Sequence, residues 1–189
     1  MHDTVFFISD VHLCVSKPKI THRFVNFLRS CQYRAQALYI LGDLFDVWVG
    51  DDDNTALSQT IRPAFSDLTQ QGVAVYIQKG NRDFLLGQDF CQMTGVTLLA
   101  DVAVIDLFDY PTMLTHGDLL CTDDEVYQAF RRTSRTPSWQ QAVLVKPLWL
   151  RLLAARWYRL KSFFHKRQQQ AAIMDVNADT MAMLLRQYQ

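Results

Sequence analysis

Residues 38–53 read LYILGDLFDVWVGDDD. The first half is an apolar, β-prone run suited to a buried strand. The second half places Asp43, Asp46, Asp51, Asp52 and Asp53 within eleven positions. Ligand sites in α/β sheets gather beyond the carboxyl ends of the strands, so a buried run ending in acids points to that edge. Three other segments have the same form. TVFFIS (4–9) leads into Asp10-Val11-His12, GVAVYIQKG (72–80) into Asn81-Arg82-Asp83, and PTMLT (111–115) into His116-Gly117-Asp118.

Helical patterns separate these runs. THRFVNFLRSCQ (21–32) spaces Phe24, Phe27, Leu28 and Cys31 along one face, and ALSQTIRPAFSDLTQQG (56–72) does the same with Leu57, Ile61, Ala64, Phe65 and Leu68. Pro63 predicts a kink or a helix beginning near it, and Gly72 fits a helix C-terminus. VTLLADVAVIDLFDYPTMLTHGD (96–118) reads as two or three strands without intervening helices. The fold class expected is α/β, with mixed β-sheets flanked by helices.

Charge is segregated. The 189 residues carry 19 basic and 19 acidic side chains, yet residues 126–174 hold ten of the cations and no acid. Val126, Phe130, Trp139, Val143, Leu144, Leu148, Trp149, Leu152, Leu153, Trp157, Tyr158, Phe163 and Phe164 are interleaved with those cations. Two or more helices are predicted here, broken near Pro137 and Pro147, with a last helix from about Met174 to Tyr188. Such a segment suits nucleic acid, an anionic membrane face, or a plain helical cap on the sheet. Cys14, Cys31, Cys91 and Cys121 lack metal-type spacing and are expected to be reduced thiols. With neither a secretory signal nor an apolar transmembrane run, a cytoplasmic location is expected.

Crowded carboxylates repel one another unless a cation holds them. Asp10, His12, Asp43, Asn81 and His116 together offer two carboxylates, two imidazoles and an amide oxygen. That mixture suits divalent manganese, iron or zinc. It exceeds what one ion needs, and two ions can clamp the oxygens of a phosphoryl displacement. Each cluster alone has an ordinary reading: Asp-x-His as a helix cap, Gly42-Asp43 and Gly80-Asn81-Arg82-Asp83 as turns, Asp46 as a surface carboxylate, His116 as a core histidine. Asp51 to Asp53 read better as an N-cap and solvated loop than as ligands. The metal reading rests on four such clusters, each ending a predicted strand.

The pattern SDVH, GDLFD, GNRD and HGD resembles the calcineurin-like metallophosphoesterases. DVHLC, LYILGDLFDVWVGDDD, GNRDFLLG, HGDLLCTDDEVYQAFR and AIMDVN narrow the resemblance to the bacterial UDP-2,3-diacylglucosamine pyrophosphatase family of lipid A biosynthesis. Arg82 is part of that likeness, standing where most of the superfamily has histidine.

The resemblance implies a metallophosphoesterase sandwich with a helical cap insertion: a core over 1–124, a basic aromatic cap over 125–174, and a helix returning to the core over 175–189. It implies that Asp10 and His12 bind one metal, Asn81 and His116 the other, and that Asp43 bridges them. Two Mn²⁺ ions are the implied cofactors, and Asn81, Arg82 and His116 the catalytic residues. The implied reaction cleaves UDP-2,3-diacylglucosamine to UMP and 2,3-diacylglucosamine 1-phosphate (lipid X).

Asn81, Arg82, Asp124 and Ser162 match substrate-contacting positions, and Lys166 joins them on charge. The planar Arg82 fork suits phosphate oxygens. Gln169 departs from the family, where a lysine is expected. The family's later Gly-His-x-His is absent from these residues, so a C-terminally truncated chain lacking the final strands and poorly active is expected. A lipid-linked UDP-sugar favours the membrane reading of the basic segment: a peripheral protein on the cytoplasmic face of the inner membrane, with no nucleic acid and no obligate protein partner. The alternatives are another metallophosphoesterase (a nuclease or phosphodiesterase) or an inactive membrane-surface module.

Overall fold

The structure is a computed structural model that describes residues 4–168 and 176–188, with side chains described for all of these except 159–168. Two compact units divide the chain, Met1–Ala103 and Val104–Gln189.

The first unit alternates strand and helix: β1 (Thr4–Ile8), α1 (Pro18–Cys31), β2 (Ala35–Leu41), α2 (Ala56–Gln70), β3 (Ala74–Gln78), α3 (Gln88–Thr94) and β4 (Thr97–Leu98). The strands form one parallel sheet in the order β1-β2-β3-β4. Parallel neighbours require a crossover, and the helices supply it. Alternation along the strands separates two faces. On one, Phe6 meets Phe27 of α1 edge-on at 5.8 Å, and Phe24, Phe65 and Phe90 join α1, α2 and α3. On the other, the in-register residues Phe7, Tyr39 and Tyr76 stack at 5.0 and 4.7 Å. Leu38, Ile40, Leu44, Phe45, Ile61, Phe65, Leu68, Ile77, Leu86 and Phe90 are fully buried. Each contributes roughly 1.5–3 kcal/mol of burial free energy.

Pro63 does not start α2. The helix begins at Ala56, seven residues earlier, because Thr55 caps it by accepting from the Ser58 N–H. Pro63 lies on the exposed side, where water can satisfy the Gln59 carbonyl that lost its donor. Gly72 closes the turn after α2 as expected, with φ of 88°. Helix α3 was not foreseen. It has only seven residues, too few for periodicity to stand out, and ends at left-handed Gly95.

Strands β5 (Val102–Leu107) and β6 (Tyr110–Thr115) form a separate two-stranded sheet. Phe108 and Asp109, both at positive φ, join them, so the pair is an antiparallel hairpin. Both strand directions therefore occur, in different sheets.

A 3-10 turn (Asp118–Leu120) then leads to α4 (Glu125–Ser134), α5 (Pro137–Leu144), α6 (Leu148–Gln168) and α7 (Ala178–Gln187). The helix breaks fall at Pro137 and Pro147 as expected; Pro137 opens α5 behind its cap Thr136. Helix α7 starts at Ala178, capped by Asn177; Met174, where the last helix was expected to begin, lies outside the described residues. Among the described residues no helix is long and apolar enough to cross a membrane.

Among the described residues, the large apolar side chains of the basic segment include two groups. Phe130 stacks on Tyr158 at 4.6 Å and meets Trp139 edge-on at 6.2 Å, joining α4, α5 and α6. Trp149, Leu153 and Trp157, four residues apart on α6, are 63%, 53% and 66% exposed. Three cations turn inward instead. Arg131 and Arg135 pair with Asp118, and Arg151 is buried with its Nε donating to the Lys146 carbonyl.

Candidate metal centre

Strands β1, β2 and β3 are parallel neighbours, so the clusters that follow them share one edge of the first unit's sheet. The chain beyond β1 and β2 stays paired. The N–H groups of Asp10, His12 and Leu13 donate to the carbonyls of Gly42, Asp43 and Leu44, and Asp46 N–H donates back to Leu13. Within this zipper Asp10, His12 and Asp43 adopt left-handed backbones, with φ of 53°, 52° and 53°. Non-glycine residues held there cost about 1–3 kcal/mol each, and Asp and His tolerate the region better than most. The reversals bring the three side chains together: one ligand atom of each lies within 4.8 Å of the others.

The donor set fits a divalent cation. Asp43 is 2% exposed. His12 Nδ1 is buried without a hydrogen-bond partner among the described residues, 3.9 Å from Asp43 Oδ2. Burial, then the Arg82 guanidinium, lowers the His12 pKa, favouring the neutral imidazole that a metal requires. Asp10 is more open, its carboxylate 3.8 Å from His12 Nε2.

The third cluster closes the site from β3. Arg82 N–H donates to Asp43 Oδ1 at 2.9 Å, and its guanidinium stands 3.8 Å from Asp43 Oδ2 and 3.6 Å from Asp46 Oδ1. Asn81 lies in the same turn. Asp83, fully buried, shapes that turn by accepting from Gly80 N–H at 2.7 Å and Phe45 N–H at 3.3 Å. Burial, then the nearby Asp43 carboxylate, raises its pKa to about 6.

Gly80 is required by this close approach, since a Cβ there would clash with Asp43 Oδ1 and the Asp43 backbone N. The Gly80→Ala variant is expected to displace Asp43, lowering divalent-cation affinity by about 10-fold or more and stability by about 1–3 kcal/mol. Isothermal titration and thermal melting would measure both, and wild-type values in each would refute the close approach.

His116 and Asp124 belong to the second unit. His116 is half-buried after β6, beside left-handed Gly117. Asp124 caps α4, its Oδ1 accepting from Tyr127 N–H at 3.0 Å. Ser162 and Lys166 fall within α6, but their side chains lie outside the described residues, as does Gln169 altogether.

Sequence reasoning gave too little weight to two acids, Asp46 and Asp51, whereas Asp53 stands close to the N-cap role expected of it. Asp46 faces Arg82 rather than being an ordinary surface carboxylate; its spacing from Asp43 was the available signal. Asp51 is no solvated loop residue: it accepts from the Trp48 indole and from the Gly87 and Phe90 N–H groups, fastening α3. Asp53 braces the cap of α2 by accepting from Thr55 N–H and Oγ1.

No family model matches the chain. Curated proteins do. The UDP-2,3-diacylglucosamine hydrolase of Haemophilus ducreyi is 48% identical over 185 residues, covering 98% of this chain and 79% of that protein. Its namesake in Cellvibrio japonicus is 45% identical over 179 residues, covering 95% and 75%. That of Neisseria meningitidis serogroup B is 46% identical over 184 residues, covering 97% and 77%. A solved Aquifex aeolicus protein of unknown function aligns with a TM-score of 0.39 at 15% identity, covering 69% of this chain and 70% of that one, too distant to carry an argument. Identity at this level over almost the whole chain places this chain in the UDP-2,3-diacylglucosamine hydrolase family.

Proposed function

We propose that the chain hydrolyses the pyrophosphate bond of UDP-2,3-diacylglucosamine, releasing UMP and 2,3-diacylglucosamine 1-phosphate, as a step of lipid A biosynthesis. The observation that carries this reading is the meeting of Asp10, His12 and Asp43 within 4.8 Å, with the Arg82 guanidinium beside them. The names of the relatives supply the substrate.

In this reading Asp10 and His12 would hold one ion, Asn81 and His116 would hold another, and Asp43 would be a ligand of both; Mn²⁺ is the proposed metal. When bound, such ions supply Lewis acidity toward phosphoryl oxygens and activate water. The chain's own residues do the rest. Arg82 offers a planar fork to phosphate oxygens, and its pairing with Asp46 aims it before substrate arrives. Asn81 orients the same phosphate. Asp124, Ser162 and Lys166 contact the sugar or diphosphate. The core over 1–124 carries the chemistry, the segment 125–174 caps it, and 175–189 returns to the core. The exposed Trp149, Leu153 and Trp157 stripe, with Lys146 and Arg156 exposed near it in sequence, suits the cytoplasmic face of the inner membrane, where anionic headgroups meet Lys and Arg.

The test is release of UMP from UDP-2,3-diacylglucosamine by the purified chain with Mn²⁺, run beside bis-p-nitrophenyl phosphate and single-stranded nucleic acid. Metal-dependent release from the lipid-linked substrate alone is expected. Equal rates on the non-lipid diesters would favour a general phosphodiesterase, and no hydrolysis of any substrate, even with a Gly-His-x-His segment restored at the C-terminus, would favour a membrane-surface module.

A further inference from the structure

We propose that Asp118 is a positioning residue whose buried carboxylate locks the loop from His116 to Asp124 into one shape. The inference rests on the metal role proposed for His116. It deepens that reading by naming what holds the histidine in place.

Asp118 is 9% exposed and collects two hydrogen bonds and a further cation from one face of α4 and its C-terminal cap. Tyr127 Oη donates to its Oδ2 at 2.5 Å, Arg131 Nε at 3.0 Å, and Arg135 Nη2 stands 3.6 Å away. Residues 127, 131 and 135 are four apart, so successive turns of one helix converge on a single oxygen. Gln128, on the adjoining turn, donates from Nε2 to the carbonyls of Asp118 at 2.8 Å and Cys121 at 3.0 Å. Burial, then Asp118 itself, pushes the Tyr127 pKa far upward, so the phenol remains a donor.

The other end of the loop is tied as firmly. Asp124 caps α4, and its carbonyl accepts from Gln128 N–H at 2.9 Å. The start of α7 fastens the middle. Asn177 N–H donates to the Leu120 carbonyl at 2.9 Å, Asn177 Nδ2 donates to Asp123 Oδ1 at 3.1 Å, and the Thr122 and Thr180 hydroxyls meet at 3.0 Å. His116 and Asp124, which the sequence treats as separate site residues, are therefore the two ends of one braced strut.

A buried cluster with two guanidiniums on one carboxylate is a poor choice for stability alone, because desolvation offsets most of the Coulomb gain. It is a good choice for fixing direction, because each donor has one acceptable geometry. Gly117 makes this necessary. Its φ of 94° makes it the permissive link between His116 and Asp118, so the bonds of Asp118 fix the backbone that leaves the histidine.

The experiment measures Mn²⁺ binding to the full 189-residue chain by electron paramagnetic resonance, with thermal melting as the folding control. Variants are Asp118→Asn, Tyr127→Phe, His116→Ala and the Asp118→Asn/His116→Ala pair. Asp118→Asn is expected to weaken the His116-dependent ion by about 10-fold or more, as loss of a ligand's support usually does. Tyr127→Phe should weaken it less, and Asp118→Asn should add nothing once His116 is gone. A folded Asp118→Asn chain with wild-type affinity, or an equal loss in the His116→Ala background, overturns the inference. If Asp118→Asn does not fold, Tyr127→Phe decides by the same criterion. Should His116→Ala leave Mn²⁺ binding untouched, the metal role of His116 fails and this inference with it; should only Asp118→Asn be silent, the metal role stands and the inference alone falls.

Discussion

Replacing Asp43 with alanine is expected to abolish Mn²⁺ loading and reduce UMP release by on the order of 10³-fold or more. Three features of its position lead there. Its carboxylate is almost wholly buried, so water cannot take over its place. It lies at the junction of the clusters from β1, β2 and β3, within reach of Asp10, His12 and Arg82. Its Oδ1 also accepts the Arg82 N–H, so alanine releases the turn that carries Asn81. Asp43→Asn separates these roles, since the amide oxygen can still accept from Arg82 while the charge is gone. Both variants should lose metal, and only alanine should loosen the turn. Titration calorimetry with Mn²⁺ and a UMP-release assay measure the outcome. Normal loading in Asp43→Ala would remove the basis for the site.

The second large effect is expected at Arg82, with the opposite pattern. Arg82→Ala should lower kcat/KM by about 10²–10³-fold while sparing Mn²⁺ affinity. The sign for metal follows from charge: a guanidinium 3.8 Å from Asp43 opposes a cation bound there, and removing it leaves affinity equal or slightly higher. The turn should survive, because Trp48 N–H donates to the Arg82 backbone carbonyl whatever side chain is present. Arg82→Lys should recover only part of the activity, having charge without the planar fork. A parallel loss of metal and turnover in Arg82→Ala would mean that the side chain supports the cradle rather than the substrate.

The parallel sheet was legible because apolar runs at period two, separated by helical faces, leave few other arrangements. That Asp10, His12, Asp43 and Arg82 belong to one site followed from the same pattern: parallel strands put their carboxyl ends on one edge. The helix breaks at Pro137 and Pro147 were legible from the missing proline N–H. Pro63 allowed two outcomes in sequence, a kink or a helix start, and the start is excluded because Thr55 caps α2 at Ala56. On the exposed side of α2 water can satisfy the carbonyl that proline leaves without a donor, so the helix runs through it.

What the sequence by itself determined is therefore whatever depends on neighbours along the chain: strand and helix periodicity, the proline breaks, the segregation of charge, and the residue types at each strand end. Tertiary structure alone decided the work of each acid. Asp46 faces Arg82, Asp51 fastens a helix that begins 37 residues later, and Asp118 gathers a tyrosine and two arginines. A carboxylate looks the same in sequence in all three cases. Its role depends on burial and on which donors lie within about 3 Å, and those are set by parts of the chain that meet only on folding.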